Sequence, residues 1–325
     1  MTKSNALFFL IFTLFMFFSC NKSPNFNIDV ENIPSNAKII AFNDVFYNKN
    51  LDLLSIKTKY PILFDDTENE IWEGRRNDSV EIAIQKQVKG VYKNYNELEF
   101  KLNDLFKHIK YYYPRFQEPT IYLYSSKLED YSDPITYIND ERGNYLFLSI
   151  DCFLGEKNKF YESFPAYIKK RMTPNGILAG ISEKITEKII PRNIKSSNFL
   201  SAILFQGKKM ILADAFLPNL SDEEKIGYTK KEMEWCKKNE KEVWTYFIDG
   251  NYFFNPDPKL VQRFIDLAPF SKFYAEIDAE SPGSIGTWLG WQIARAYLEE
   301  NQISVQEFIS LTDENSILKN SDYNP

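Results

Sequence analysis

Glu183 and Glu187, four residues apart, are the side chains in this sequence best spaced for chemistry. An i, i+4 pair shares one face of a helix. Two carboxylates on one face can divide general acid and base between them, as in glycoside hydrolysis, or hold a cation. Lys184 and Lys188 stand beside them, which also gives the plainer reading of a solvated face whose charges offset one another. His108 is the only histidine, so no site that needs two imidazoles can be assembled. This removes His-rich zinc sites and the two-histidine metallopeptidase helix. His108 lies in a stretch of apolar and basic residues, where a structural role is the expectation. No P-loop and no dinucleotide fingerprint occurs. Asp222-Glu223-Glu224 reads as a helix N-terminus, where negative charge complements the dipole. From these residues neither a catalytic set nor a metal site nor a cofactor is expected.

Aromatic residues are abundant, with 27 Phe and 20 Tyr, and Tyr111-Tyr112-Tyr113 offers itself as a sugar-stacking platform. The chain is equally rich in Asn, Lys and Ile, a composition that an AT-rich genome supplies without selection for stacking. Trp288 and Trp291 neighbour Gly286 and Gly290 on one predicted helix, where close packing predicts core. Cys152 and Cys236 are expected to be buried free thiols, with a disulfide as the alternative in an oxidising compartment. The formal charge of −6 and the lack of a dense basic cluster exclude nucleic acid as the expected partner.

These residues must be positioned by a small sheet and many helices. Extended segments are predicted at 36–42, 119–124, 135–138 and 145–150, with a turn over Glu141-Arg142-Gly143-Asn144. Lys57 to Phe64 reads as a turn or a short extended piece, and the charged stretch from Asp65 to Asp78 as loop. Helices are predicted over 80–91 and 97–112, the second ended by Pro114. Thr173-Pro174 starts another, which carries Ile177, Ile181, Ile185 and Ile189 at intervals of four and stops at Pro191. A buried helix follows over 197–217. Thr229 with Glu232 opens one that runs to Gly250, and the last strong helix runs from Ser281-Pro282-Gly283 to about Glu300.

The amino terminus adds a targeting signal. Lys3 precedes an apolar run from Ala6 to Phe18, too short to span a bilayer, and Ser19-Cys20 closes it. The expectation is a signal peptide over 1–19, lipid on Cys20, a polar tether over 20–36 and one globular domain over 37–325. The partner on that side is a membrane, reached through the lipid.

Several segments together resemble the gliding-motility lipoprotein family GldB of the Bacteroidota. They are Ser149-Ile150-Asp151-Cys152-Phe153-Leu154-Gly155, Phe106 to Pro114, Lys225 to Thr229, Ala268 to Tyr274, and Glu280 through Gly286-Thr287-Trp288-Leu289-Gly290-Trp291-Gln292 to Arg295. The resemblance implies a cell-envelope lipoprotein needed for gliding, with partners in the gliding and type IX secretion machinery; because no acidic run follows Cys20, the expected location is the outer membrane facing the periplasm. More distantly the chain resembles predicted zinc-dependent proteases. Where those need His-Glu-x-x-His, it has Ile181-Ser182-Glu183-Lys184-Ile185, which implies a degenerate zincin-like fold without catalysis.

The combined expectation is an α+β, predominantly helical single domain that acts as a non-catalytic scaffold, with Glu183, Glu187, Asp151, Trp288 and Trp291 as its candidate functional surface. The rivals are a carboxylate-dependent enzyme cleaving peptidoglycan or peptides, and a glycan-binding module on Tyr111–Tyr113 and the two tryptophans.

Overall fold

The computed structural model describes residues 26–191, 197–274 and 276–325. Strand β1 (Lys38–Ala41) leads directly into five helices: α1 (Phe42–Phe46), α2 (Leu53–Lys59), α3 (Asn69–Asn77), α4 (Ser79–Val91) and α5 (Asn96–Tyr112). Strands β2 (Thr120–Tyr124), β3 (Ile135–Asp140) and β4 (Gly143–Ser149) complete the sheet. The rest is helical: α6 (Ala166–Lys169), α7 (Pro174–Ile189), α8 (Phe199–Phe216), α9 (Asp222–Ile226), α10 (Lys230–Lys238), α11 (Glu240–Asp249), α12 (Lys259–Phe264), α13 (Ile285–Asn301), α14 (Val305–Ser310) and α15 (Glu314–Asn320). This is the α+β, mainly helical architecture expected.

The sheet order is β1-β2-β4-β3, with the first three strands parallel and β3 antiparallel to β4 at the edge. Period-two alternation sorts its faces. Ile121, Leu123, Ile135, Tyr137, Leu146 and Leu148 are buried on the inner face, within the main core. Tyr122, Tyr124, Tyr145 and Phe147 stand half-buried on the outer face. The hairpin turn is tighter than expected, with Glu141 and Arg142 alone between Asp140 and Gly143. Gly143 has φ +135°, a conformation that side chains rarely tolerate.

On α7, Ile177, Ile181 and Ile185 are fully buried and Ile189 partly so, as the interval of four predicts. Burying each such side chain contributes about 1.5–3 kcal/mol. Helix α8 is buried on most sides and crosses α13 so closely that glycine meets backbone. A Cβ on Gly207 would lie 2.2 Å from the Gly290 carbonyl oxygen, and one on Gly290 would lie 2.1 Å from that of Ile203.

The reading of Lys57 to Asp78 as turn and loop is corrected: α2, a 3-10 turn over Pro61–Leu63 and α3 occupy this stretch. The side chain that fixes α3 is Arg76, 3% exposed, which donates to the carbonyls of Phe46, Asn48 and Leu51 at 2.6–2.8 Å. A buried arginine serving main-chain acceptors leaves no hydrophobic periodicity to read. The single helix expected from Thr229 to Gly250 is two, α10 and α11, divided at Asn239, whose side chain donates to the Trp235 carbonyl at 2.7 Å. Such local bonding competes with helix continuation.

Residues 1–19 and Cys20 lie outside the described residues. Of the expected tether, 26–36 packs on the domain: Phe26 and Ile28 lie against the core, Val30 is buried, and Ser35 and Asn36 bond to Asn103 and Glu118.

Candidate functional site

Thr173 caps α7, its hydroxyl accepting from the Gly176 N–H at 3.1 Å, and the buried isoleucine stripe turns Glu183 and Glu187 away from the core. Their counter-ion is not the expected Lys184 or Lys188. Lys209 of α8, 7% exposed, places its Nζ 2.6 Å from Glu183 Oε1 and 3.2 Å from Glu187 Oε1. Arg171 Nη2 reaches Glu183 Oε2 at 3.4 Å, and Lys184 turns to Asp133 at 2.7 Å. Glu183 opens on a cleft of about 560 Å³ lined also by Ile135, Arg171, Asn175, Gly180 and Tyr228. Crowding around Glu183 opposes its ionisation, but Lys209 and Arg171 outweigh that and hold the carboxyl below its ordinary value. A general acid needs the opposite shift. Ile181 and Ile185, at the ends of the segment compared with a zinc motif, are core residues. Among the described residues no group of three or more His, Cys, Asp or Glu side chains could hold a metal ion.

Behind this cleft lies a second charged cluster. Asp214 of α8 is 1% exposed and accepts four bonds: Arg295 Nε at 2.9 Å and Nη2 at 2.9 Å, Trp291 Nε1 at 2.8 Å, and Lys225 Nζ at 2.9 Å. The Arg295 guanidinium stacks 3.9 Å above the Trp291 ring and forks onto Asp222 at 2.7 and 2.9 Å. Asp222-Glu223-Glu224 is the helix N-terminus expected, with Ser221 and Glu224 forming a reciprocal capping box. Its first residue also ties α9 to α13.

Burial pushes the Asp222 carboxyl up, while Arg295 and Lys225 pull it further down, to below its ordinary value. A depressed native carboxylate contributes stability that is present above the unfolded pKa and lost as pH falls through the native one. Asp222→Asn is therefore expected to flatten the acid limb of the stability profile below about pH 4. Urea titrations between pH 3 and 7 check this, and an unchanged acid limb would show that the pair is screened.

Asp151, Trp288 and Trp291 lie in the interior and not on the surface. Trp288 and Trp291 are 2% and 0% exposed, as the glycine-rich helix predicts. Asp151 is fully buried and accepts from the Ser126 and Leu128 N–H groups at 3.2 and 2.8 Å and from the Ser149 hydroxyl at 2.8 Å. Lys127 and Leu128 have φ of +60° and +66°, a left-handed turn in the segment whose Ser126 and Leu128 N–H groups meet this side chain. Burial pushes its carboxyl up despite these donors. The Asp-x-Phe-Leu-Gly segment is thus a staple for the loop after β2.

Tyr111–Tyr113 form no flat platform: Tyr111 and Tyr112 meet edge to face, Tyr112 is buried, and Tyr113 sets its edge on Phe216. His108 is 3% exposed, with Nδ1 2.8 Å from the Asp104 carbonyl oxygen, so that nitrogen is assigned the proton. Cys152 and Cys236 are buried and free, and burial pushes both thiols up.

The members of these two charged clusters that sequence reasoning missed are Lys209, Asp214 and Arg171. One signal was available. Lys208, Lys209 and Asp214 interrupt an otherwise apolar helix, and buried charges require partners.

Helical layers on a four-stranded mixed sheet, joined by internally paired charges, define an α+β single domain. The family described as "Gliding motility protein GldB" matches residues 23–325, and the chain belongs to that family of gliding-motility lipoproteins. Such membership associates it with the cell envelope. Among the described residues no helix is long and apolar enough to cross a membrane. No curated protein and no solved structure matches the chain.

Proposed function

We propose that the domain is a non-catalytic scaffold of the gliding apparatus, held by lipid on Cys20 to the outer membrane, facing the periplasm, and engaging protein components of the gliding and type IX secretion machinery. The observation that carries this reading is the pairing of Glu183. The best-placed carboxylate in this cleft is neutralised by Lys209 and Arg171, with its charged form stabilised, so it is poised neither to give a proton nor to take one.

Glu183→Gln keeps the shape of the wall and one acceptor for Lys209. It is expected to leave colony spreading and single-cell gliding speed at the parental level. Cys20→Ala, which removes the acylation site, is expected to abolish spreading although the domain still folds. Motility lost in Glu183→Gln but kept in Cys20→Ala would overturn the reading and restore the carboxylate enzyme.

A further inference from the structure

The cleft beside Glu183 has exposed apolar side chains and an excess of negative charge, neither of which the pairing of Glu183 accounts for. Of the large apolar residues that line it, Leu267 is 48% exposed and Tyr131 37%, the latter with its ring stacked on Phe164 at 4.5 Å. From α7 the lining includes Gly176, Ala179 and Gly180, all part-exposed and with little or no side chain. A cleft of about 560 Å³ with small residues on one element and exposed apolar ones on others has room for a side chain from outside and surface for it to cover.

Charge decides which side chains suit it. Each cation that lines the cleft is already engaged by an acid: Lys170 by Glu232 at 2.7 Å, Arg171 by Glu183 at 3.4 Å and Lys184 by Asp133 at 2.7 Å. Two carboxylates of the lining have no such counter-ion among the described residues. Glu224 accepts from Asn175 at 2.6 Å and closes its own cap, and the Glu223 side chain makes no hydrogen bond or ion pair. Glu224 is exposed and Glu223 half-buried, so both charges reach solvent. An acidic segment would meet these two carboxylates with every cation occupied, whereas a basic one finds complementary charge, which favours encounter and rejects the wrong partner.

We propose that this cleft docks a protein partner through a segment that carries a lysine or arginine beside a bulky apolar residue. The cation lies by Glu223 and Glu224, and the apolar side chain covers Leu267 and Tyr131. This rests on the scaffold reading, in which a bound segment is held and not cut.

The test selects phage-displayed linear dodecapeptides on the full lipidated chain in detergent micelles and titrates the enriched peptides calorimetrically. Saturable binding is expected from peptides that place a basic residue beside a bulky apolar one. Glu223→Lys, which sets like charges against each other, should weaken binding about tenfold or more. Leu267→Ser should weaken it about tenfold, the effect of part of one apolar contact. Thermal melting of each variant is measured alongside. Tyr131→Ser replaces Leu267→Ser if that variant melts early, and Glu223→Gln replaces Glu223→Lys with an expected loss of about threefold. Glu141→Lys, the same charge change in the hairpin turn, should bind as the parent does. Mass spectrometry of the recovered peptide separates the two readings: an intact peptide supports both, and a cut one leaves the docking site standing while overturning the scaffold. No enrichment over empty micelles, a consensus without basic residues, binding that survives both the Glu223 and the Leu267 or Tyr131 substitutions, or an equal loss in Glu141→Lys would each overturn the docking site, with the scaffold reading still standing on its motility test.

Discussion

Asp214→Ala is expected to destabilise the fold by about 3 kcal/mol, the low end of the cost of breaking a buried ion pair. The substitution removes the nearer partner of Lys225, whose side chain is 7% exposed and which keeps only Asp222 at 3.8 Å, and leaves the buried Trp291 Nε1–H without an acceptor. Arg295 keeps Asp222 and is 28% exposed at its side chain, so it is not left fully uncompensated, which holds the figure down. Urea denaturation at pH 7 measures the change as a lower midpoint with the slope unaltered. A loss under about 1 kcal/mol would mean that water replaces the carboxylate and that the cluster does not bind α8, α9 and α13 together.

Gly290→Ala should cost a similar amount by a different route. The new Cβ would lie 2.1 Å from the Ile203 carbonyl oxygen, and backbone cannot rotate away as a side chain can. Overpacking of this kind costs about 1–3 kcal/mol, and the main-chain contact places this case at the upper end. Gly207→Ala forces the same two helices apart, its Cβ falling 2.2 Å from the Gly290 carbonyl oxygen. Once the helices have separated for one methyl group, the second meets less resistance, so the double variant is expected to lose less than the sum of the single ones. Additive losses would show that each glycine is accommodated locally.

What could be read from the sequence follows from how local the responsible physics is. Helix α7 was legible because Thr173-Pro174 and isoleucines at intervals of four are short-range signals, and α5 was legible for the same reason. The strands showed through their apolar residues, and the burial of Trp288 and Trp291 through the glycines beside them. Helix α3 was not legible, because its anchor, Arg76, serves the carbonyls of a loop some 25 to 30 residues earlier.

The candidate site divides in the same way. Glu183 and Glu187 were found from spacing alone, but their counter-ion was misassigned to neighbouring lysines because the true partner, Lys209, comes from the next helix. Asp214 and Arg295 lie 81 residues apart, and only packing brings them together. Asp151 belongs to a segment marked by resemblance, and its role as acceptor for the Ser126 and Leu128 N–H groups depends on the left-handed turn at Lys127 and Leu128, which no local signal announces.

The central claim, that this lipoprotein acts by holding partners and not by cleaving bonds, is tested most directly by crosslinking a carboxyl-terminally tagged chain in living, gliding cells and identifying what co-purifies. The account predicts protein components of the gliding and type IX secretion machinery, recovered equally with the parent and with Glu183→Gln. Recovery of no such component, together with cleavage of peptidoglycan or casein that disappears in Glu183→Gln, would contradict it.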